Sequence, residues 1–369
     1  MKIQIFYASI GSGHYVAASA MKHALDQFDG TEIQMFDILE PIKTDLIKIS
    51  EISSLFSFLI APNAYDKAWQ TGNLHGLYEL ICTIDILQTY LLDCFMKFRP
   101  DIVIFTHSLP CSVFCKIADN QKLVIPIIAI ATDFNIHRYW PLESITQFIV
   151  GSDIGVRELV HRGFTREKIC LLGIPINTKF MNYSMKQRIQ NANSIKNVLV
   201  LAGGRQVAPY VSLWPKIVTI IRNIAKLHNQ EEFQWTVVSG SNLFFEKYLA
   251  LITDNIVNIE IVKFIEDMPL QIFYSDVVLT KPGGLILAEC MALCKPVILL
   301  TRGAGQEAAN TDYLLEKQAA LISEDPTTTI ELITNILASD ELTKLSHNAR
   351  KLGYPNAAEE IAQYILTFQ

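Results

Sequence analysis

The chain has 369 residues, of which 50% are hydrophobic and 18% are charged. It is too long for one ordinary domain core, and its apolar composition is not that of a disordered protein. Its formal net charge is -6, with 31 Lys and Arg against 37 Asp and Glu and no prominent basic run. This balance argues against a nucleic-acid partner, and we expect two folded domains of roughly 150 to 200 residues each.

The N-terminus, MKIQIFYAS, alternates like a β-strand and lacks the features of a signal peptide. The most apolar run, residues 124–131, has the length of a buried strand and is too short for a spanning helix. The sequence therefore predicts a cytoplasmic protein without a transmembrane segment.

Both halves of the chain show the same alternation of strands and helices. In the first half, apolar runs predict strands that begin at residues 2, 31, 101, 126 and 147, with a helix at 14–25. In the second half, predicted strands begin at residues 197, 233, 258, 276 and 296. The continuous Val and Ile runs are typical of parallel strands buried on both faces.

This pattern predicts an α/β protein with two Rossmann-like, doubly wound domains that face a cleft. We place an N-terminal domain at 1–178, a C-terminal domain at 179–354 and a final amphipathic helix, packing near the interdomain region, at 355–369. Because ligands of such sheets bind beyond the carboxyl ends of the strands, we expect functional residues in the loops that follow them.

The first such loop carries GSGH, Gly11 to His14, just before the first helix. Glycines allow a close backbone approach, and the helix start offers free N–H groups. The spacing fits neither a dinucleotide fingerprint nor a P-loop. His14 could accept a proton from an incoming hydroxyl, or it could be a helix-start histidine bonded to a neighbouring loop.

Two further loops follow strands of the first half. One is THSLP, and the other, TDFNIHRYW, places Asp133, His137, Arg138 and Trp140 together. An acid, a base, a cation and a large ring in one loop indicate function. The alternative is an ordinary connection with a surface tryptophan.

In the second half, LTKPGGLILAE leads from a strand into a helix whose first amides, at Gly283 and Gly284, can hold a diphosphate. Glu289, further along that helix, can accept paired hydroxyls such as those of ribose. Gln306 and Glu307 begin the next helix and offer groups that bind sugar hydroxyls. The alternative is two capped helices without a ligand. The sequence contains no Asp-x-Asp pair, so no metal is predicted.

With these motifs the sequence resembles the monogalactosyl- and glucosyl-diacylglycerol synthases of glycosyltransferase family 28. The resemblance covers nearly the whole chain, through GSGH, TDF-x3-H-x2-W, GIP at Gly173 to Pro175, KPGG-x4-E and GQE-x2-N. More distantly, the chain is similar to the enzyme that adds N-acetylglucosamine to the lipid-linked peptidoglycan precursor.

The resemblance implies a GT-B fold and an inverting transfer of hexose from UDP-glucose or UDP-galactose. The acceptor would be diacylglycerol or a similar lipid at a membrane surface, so the protein would associate peripherally with the inner face of the cell membrane. No cofactor is implied, since the UDP-sugar is a co-substrate.

The resemblance also assigns roles to residues. For the donor, it implies Gly283, Gly284 and Glu289 at the diphosphate and ribose, Gln306 and Glu307 at the sugar, and Phe264 and Ile265 beside the uracil. For the acceptor, it implies Gly13, His14 and Trp140. His14 is the expected general base, and Asp133 and His137 are its rivals. The run Ala202 to Gln206 departs from the family by keeping only two glycines, and there Gly204 and Arg205 are expected to meet a phosphate.

Other functions remain open at this point. The acceptor could be polyprenyl-linked or soluble, and the chain could be a UDP-sugar epimerase or a nucleotide-sugar sensor without catalysis. The apolar side chains between Lys43 and Trp69 could insert into a membrane interface or belong to the core.

Overall fold

The computed structural model describes residues 1–9, 12–43, 75–186, 195–201, 213–224, 232–240, 243–254, 256 and 258–368. The apolar residues 44–69 and the predicted phosphate residues Gly204 and Arg205 lie outside these ranges. The chain forms two compact units, one of Met1–Thr178, Ala304–Ala309 and Asn356–Gln369, the other of Lys179–Gly303 and Asn310–Pro355.

The first unit contains a six-stranded sheet in the order β2-β1-β3-β4-β5-β6, and every pairing in it is parallel. Its strands are β1 (Lys2–Tyr7), β2 (Glu32–Asp37), β3 (Ile102–Phe105), β4 (Ile127–Ile130), β5 (Gln147–Val150) and β6 (Ile169–Leu171). Its helices are α1 (Gly13–Leu25), α2 (Glu40–Lys43), α3 (His75–Cys82), α4 (Asp85–Phe98), α5 (Ser108–Gln121) and α6 (Asp153–His161), with a short 3₁₀ turn at Arg166–Lys168.

From Lys179 onward the chain builds a second six-stranded sheet in the order β12-β11-β10-β7-β8-β9, again with parallel pairings. Its strands are β7 (Lys196–Leu201), β8 (Phe233–Val238), β9 (Ile259–Val262), β10 (Val277–Thr280), β11 (Val297–Leu299) and β12 (Ala320–Ile322). The helices are α7 (Lys179–Ser184), α8 (Leu213–Ile224), α9 (Leu243–Thr253), α10 (Met268–Tyr274), α11 (Gly284–Ala292), α12 (Gln306–Glu316), α13 (Thr329–Leu337) and α14 (Glu341–Leu352). The last helix, α15 (Ala357–Ile365), packs against α1 of the first unit.

The fold class predicted from the sequence, two Rossmann-like doubly wound domains, is confirmed. Each sheet has one strand more than the sequence indicated, because β6 (ICL) and β12 (ALI) are edge strands of three residues, too short to show a strand period. Predicted strand β4 also ends earlier, at Ile130, which leaves Thr132 and Asp133 in the loop beyond it.

Aromatic side chains fill one face of the first sheet. The rings of Phe6 and Phe105, on neighbouring strands, stack with centroids 5.5 Å apart, and Phe114 of α5 lies 5.5 Å from Phe105. All three are fully buried, and burying a side chain of this size stabilises a fold by about 1.5 to 3 kcal/mol. This packing fixes β1 and β3 side by side, and so fixes the start of the loops that follow them.

Among the helices that the structure describes, none is both long and apolar enough to cross a bilayer.

The loop after α14 approaches the end of α11 closely at Gly353. A Cβ added at Gly353 would overlap the backbone carbonyl of Met291, which cannot swing away as a side chain can. We expect Gly353→Ala to destabilise the second unit by about 1 to 3 kcal/mol, visible as a lower Tm in thermal unfolding. Gly76→Ala is the control, because no atom lies within 4 Å of its added Cβ. Equal Tm values for the two variants would contradict the prediction.

Candidate active site

Three loops meet at the carboxyl edge of the first sheet. Strands β1, β3 and β4 are neighbours and run parallel, so the segments that follow them leave the sheet at the same edge. These segments line one cavity, to which they contribute His14, Thr106, His107, Thr132, Asp133, Asn135, His137 and Trp140. The structure thus brings together all three predicted candidates for the general base.

His14 lies in the first turn of α1 and is held by the loop after β3. Its Nδ1 is 2.9 Å from the carbonyl oxygen of Thr106, and the Thr106 hydroxyl donates back to the carbonyl of His14 at 3.0 Å. The Thr132 hydroxyl oxygen lies 2.9 Å from the same Nδ1. Because a carbonyl oxygen only accepts, Nδ1 carries the proton and Nε2 keeps its lone pair. The two sequence interpretations of His14 are therefore compatible, since it is bonded to a neighbouring loop and still presents a basic nitrogen.

The other two histidines of the cavity hold the opposite tautomer. Nδ1 of His107 accepts a hydrogen bond from the backbone N–H of Leu109 at 2.9 Å. Nδ1 of His137 accepts one from the backbone N–H of Tyr139 at 3.2 Å. In their neutral forms both rings therefore carry their proton on Nε2.

Burial keeps all three imidazoles neutral. It lowers the pKa of His14, an effect that the charge of Asp133 and the Thr106 carbonyl partly oppose. Burial, with His14 and His137 nearby, holds the pKa of His107 well below its usual range. For His137, burial together with His14, Arg162 and Arg138 lowers the pKa to about 3. At neutral pH, His14 is thus an uncharged base beside a carboxylate, and His137 is much the weaker base.

Helix α6 fixes the loop that carries Asp133 and His137. The Glu158 carboxylate accepts from the backbone N–H of Ile136 at 2.6 Å, and Arg162 donates to the carbonyls of His137 and Arg138 at 3.2 and 2.9 Å. Ser152, the N-cap of α6, donates to the carbonyl of Phe134. Four loop residues are therefore anchored through backbone groups, and the side chains of Asp133, Asn135 and His137 face the cavity.

Trp140 is buried, so the sequence alternative of a surface tryptophan is wrong. The residue is 6% exposed, and its ring meets that of Phe148 edge-on, with centroids 5.1 Å apart. Apolar burial explains this, because β5 and the end of the loop share one core cluster. Part of Trp140 still lines the cavity, and Gly13 opens α1 beside His14. The acceptor-binding roles of both residues remain predictions.

The second unit positions the predicted diphosphate loop at the end of β10. Gly283 is the N-cap of α11, and a Cβ added there would stand 3.3 Å from Nζ of Lys281. The side-chain amide of Asn310, which is fully buried, donates to the carbonyl of Pro282 at 3.1 Å. This bond ties the loop to α12, so the start of α11 has a defined backbone conformation.

Glu289 lies on α11 and is 7% exposed. Within the described parts of the chain no hydrogen bond reaches its carboxylate, and burial raises its pKa to about 8. A carboxyl group that is buried without a partner is costly to ionise. A ligand hydroxyl would supply the missing partner, which fits the predicted contact with ribose.

The remaining predicted donor residues lie in loops or helix starts of the C-terminal half. Phe264 and Ile265 follow β9, and the ring of Phe264 is 72% exposed. Gln306 and Glu307 are the first two residues of α12. Their donor contacts, like those of Gly204 and Arg205, stay predictions. The sequence assigns no role to Thr106, His107 or Thr132, although it marks the two loops that contain them, THSLP and TDFNIHRYW.

Within the described ranges, no group of three or more His, Cys, Asp and Glu side chains is arranged to hold a metal ion.

Two family models together match most of the chain. Residues 14–176 match the model described as monogalactosyldiacylglycerol (MGDG) synthase, and residues 197–365 match the glycosyltransferase family 28 C-terminal domain. The chain belongs to glycosyltransferase family 28. This family membership makes the protein a glycosyltransferase and confirms the resemblance read from the motifs.

Individual relatives agree with the family. The processive diacylglycerol beta-glucosyltransferase of Bacillus subtilis (strain 168) is 24% identical over 371 residues, which cover 99% of this chain and 94% of the relative. Among solved structures, Acinetobacter baumannii MurG matches with a TM-score of 0.64 and 14% identity, covering 99% of both chains. The UDP-GlcNAc 2-epimerase from Neisseria meningitidis, bound to UDP-GlcNAc, has a TM-score of 0.64 and 16% identity, covering 100% of both chains. The two structures show a shared two-domain fold.

Glu289 should make the stability of this family 28 protein depend on pH. Its carboxyl pKa is raised from 4.5 to about 8, so folding favours the protonated form, and the stability it contributes is lost as pH rises through that window. We expect Glu289→Gln to match the wild type near pH 5 and to be more stable near pH 8.5. The expected gain in the free energy of unfolding is roughly 2 to 3 kcal/mol. A tenfold difference in proton affinity is worth about 1.4 kcal/mol, and relaxation around the buried carboxyl group reduces the full value.

The measurement is thermal unfolding of both proteins at the two pH values. Glu331→Gln is the control, because Glu331 is an exposed carboxylate on α13 of the same unit. A Tm difference between Glu289→Gln and wild type that is the same at both pH values would rule out the raised pKa.

Proposed function

We propose that this glycosyltransferase moves glucose from UDP-glucose to diacylglycerol, with inversion at the anomeric carbon. The match of residues 14–176 to a diacylglycerol glycosyltransferase model supports the lipid acceptor, and the name of the Bacillus subtilis relative supports glucose. The observation that carries the chemistry is the half-buried, neutral His14, whose proton sits on Nδ1 against the Thr106 carbonyl.

His14 is the proposed general base. As the acceptor hydroxyl attacks the anomeric carbon, its proton moves to Nε2 of His14 and the bond from that carbon to the UDP oxygen breaks. Burial lowers the pKa of His14, and the nearby charge of Asp133 partly opposes this effect and so would stabilise the imidazolium that forms. His137 fits the role poorly, because a group with a pKa of about 3 takes up a proton weakly at neutral pH.

The donor is proposed to bind the C-terminal half. The N–H of Gly283 donates to the Lys281 carbonyl, so the proposed phosphate site is the start of α11 at Gly284, at the positive end of the helix dipole. This end suits the two phosphates, whose negative charge grows as UDP departs. Glu289 would accept from the ribose hydroxyls and thereby gain a partner that the described part of the chain does not provide. The exposed ring of Phe264, with Ile265, would cover the uracil, and Gln306 and Glu307 would bind the hexose. Gly204 and Arg205 are proposed to complete the phosphate site.

The proposed acceptor lies in a membrane, so we further propose peripheral association with the cell membrane's inner face. The name of the Bacillus subtilis relative supports this indirectly, because it specifies diacylglycerol as the substrate of that enzyme. No metal cofactor is proposed, because helix-end dipoles and Arg205 can balance the charge of the departing UDP.

The test is product formation from radiolabelled UDP-glucose and UDP-galactose, each with and without vesicles that contain diacylglycerol. We expect label from UDP-glucose in the lipid fraction only when diacylglycerol is present. Label from UDP-galactose alone would correct the sugar. Transfer only to a polyprenyl phosphate or a soluble acceptor, or an altered nucleotide sugar without any acceptor, would replace the proposal with the corresponding alternative.

Substitutions in the acceptor half and in the donor half of the proposed site should change different kinetic constants. His14→Ala should lower kcat by about 10² to 10⁴-fold and leave UDP affinity nearly unchanged, because a general base acts on the acceptor. Glu289→Ala should mainly raise the KM for the UDP-sugar. Steady-state kinetics and UDP titration measure both effects. If His14→Ala turns over normally while Asp133→Asn is inactive, the base is Asp133.

A further inference from the structure

The tautomers of the cavity histidines give each ring a different hydrogen-bonding capacity. His14 faces a carbonyl through Nδ1, so its Nε2 can only accept. His107 faces a backbone N–H through Nδ1, so its Nε2–H can only donate. The two rings are neighbours, with centroids 4.4 Å apart and planes at 72°. An acceptor and a donor are therefore presented side by side.

The position of His107 in the fold keeps it a neutral donor. It is the N-cap of α5, a 14-residue helix, and so it lies at the positive end of the helix dipole. Burial and the two other histidines also disfavour the imidazolium and lower the pKa of His107. The residue is thus unsuited to act as a base and well suited to act as a permanent hydrogen-bond donor. Within the described ranges, no hydrogen bond from its Nε2 is found.

A hydroxyl group that is about to attack needs both capacities at once. Its proton must leave towards a base, and one of its two oxygen lone pairs can accept a hydrogen bond while the other forms the new bond. A donor at this oxygen also stabilises the negative charge that develops as the proton leaves. His14 and His107 supply this pair of groups from adjacent loops.

We propose that His107 binds the attacking hydroxyl of the acceptor through its Nε2–H and holds the oxygen beside Nε2 of His14. The inference rests on the proposed function. The hydroxyl proton passes to His14, the oxygen bonds to the anomeric carbon, and UDP leaves with the electrons of the broken bond. His107 keeps its own proton throughout, so it neither gains nor loses a proton in this step.

Two substitutions separate this role from helix capping. In His107→Asn the side-chain oxygen takes the place of Nδ1, and Asn is a favourable N-cap, so the cap is kept and the distal donor is lost. In His107→Gln the amide nitrogen reaches about as far as Nε2, so a donor is kept and the cap is lost. If His107 only caps the helix, His107→Asn should be the more active variant. Our proposal predicts that His107→Gln is the more active one.

The experiment measures transfer from UDP-glucose to diacylglycerol vesicles, with UDP affinity and Tm of each variant. For His107→Asn we expect a Tm close to wild type, an unchanged KM for UDP-glucose, and kcat/KM for diacylglycerol lowered roughly 10 to 100-fold, as for a lost hydrogen bond to the reacting oxygen. His107→Gln should have a lower Tm and retain more activity than His107→Asn.

The outcomes distinguish this inference from the function on which it rests. Full activity of His107→Asn, with wild-type enzyme active in the same vesicles, would overturn the role of His107 alone. Activity that follows Tm across both variants would also overturn it, because the residue would then act only as a cap. If the wild type transfers no sugar to lipid, both the proposed function and the inference fail.

Discussion

The hydrogen bond from Nδ1 of His14 to the carbonyl of Thr106 is the interaction on which the site depends. It joins the first turn of α1 to the loop after β3, and the Thr106 hydroxyl returns a second bond to the His14 carbonyl. Because a backbone carbonyl cannot rotate away as a side chain can, the ring is held in one tautomer and one orientation. The basicity and the direction of Nε2 both follow from this contact.

In the first unit, burial and a nearby carboxylate have opposite effects on the pKa of a histidine. Removing an imidazole from water favours its neutral form, and a carboxylate nearby favours the charged form. The charge of Asp133 partly opposes the lowering of the His14 pKa. For His107 and His137, the neighbouring groups that shift the pKa are all positive or neutral. Three histidines in one cavity therefore differ in basicity, and the proposed general base is the one whose imidazolium a carboxylate favours.

The same physical principle applies to Glu289 in the second unit. A buried carboxyl without a partner costs free energy when it ionises, and a ligand hydroxyl relieves that cost. A site built this way gains more from the correct ligand than an exposed carboxylate would, because water does not already satisfy it. In the proposed donor site, the unfavourable environment of Glu289 in the free protein would contribute to the affinity for a donor.

The relation to family 28 rests on separate lines that agree. Overall identity to the Bacillus subtilis relative is only 24%, yet the family models match 14–176 and 197–365, on either side of the junction between the predicted domains. The motifs lie in loops beyond the strands, whereas the strands need only be apolar and β-branched. Because hydrophobic residues in a sheet are exchangeable at similar volume, a fold can persist at such low identity.

The sequence by itself determined the two doubly wound domains, since long Val and Ile runs predict parallel strands and the order of elements repeats. It also placed His14, Asp133, His137, Gly283, Gly284 and Glu289 in the segments after strands, because that rule depends only on chain direction. Tertiary structure alone decided the edge strands β6 and β12, the burial of Trp140, the neighbourhood of His14 and His107, and the tautomer of each ring. These features depend on partners that are far away in the chain: Thr106 is 92 residues from His14, and no local pattern records which backbone group a side chain will meet.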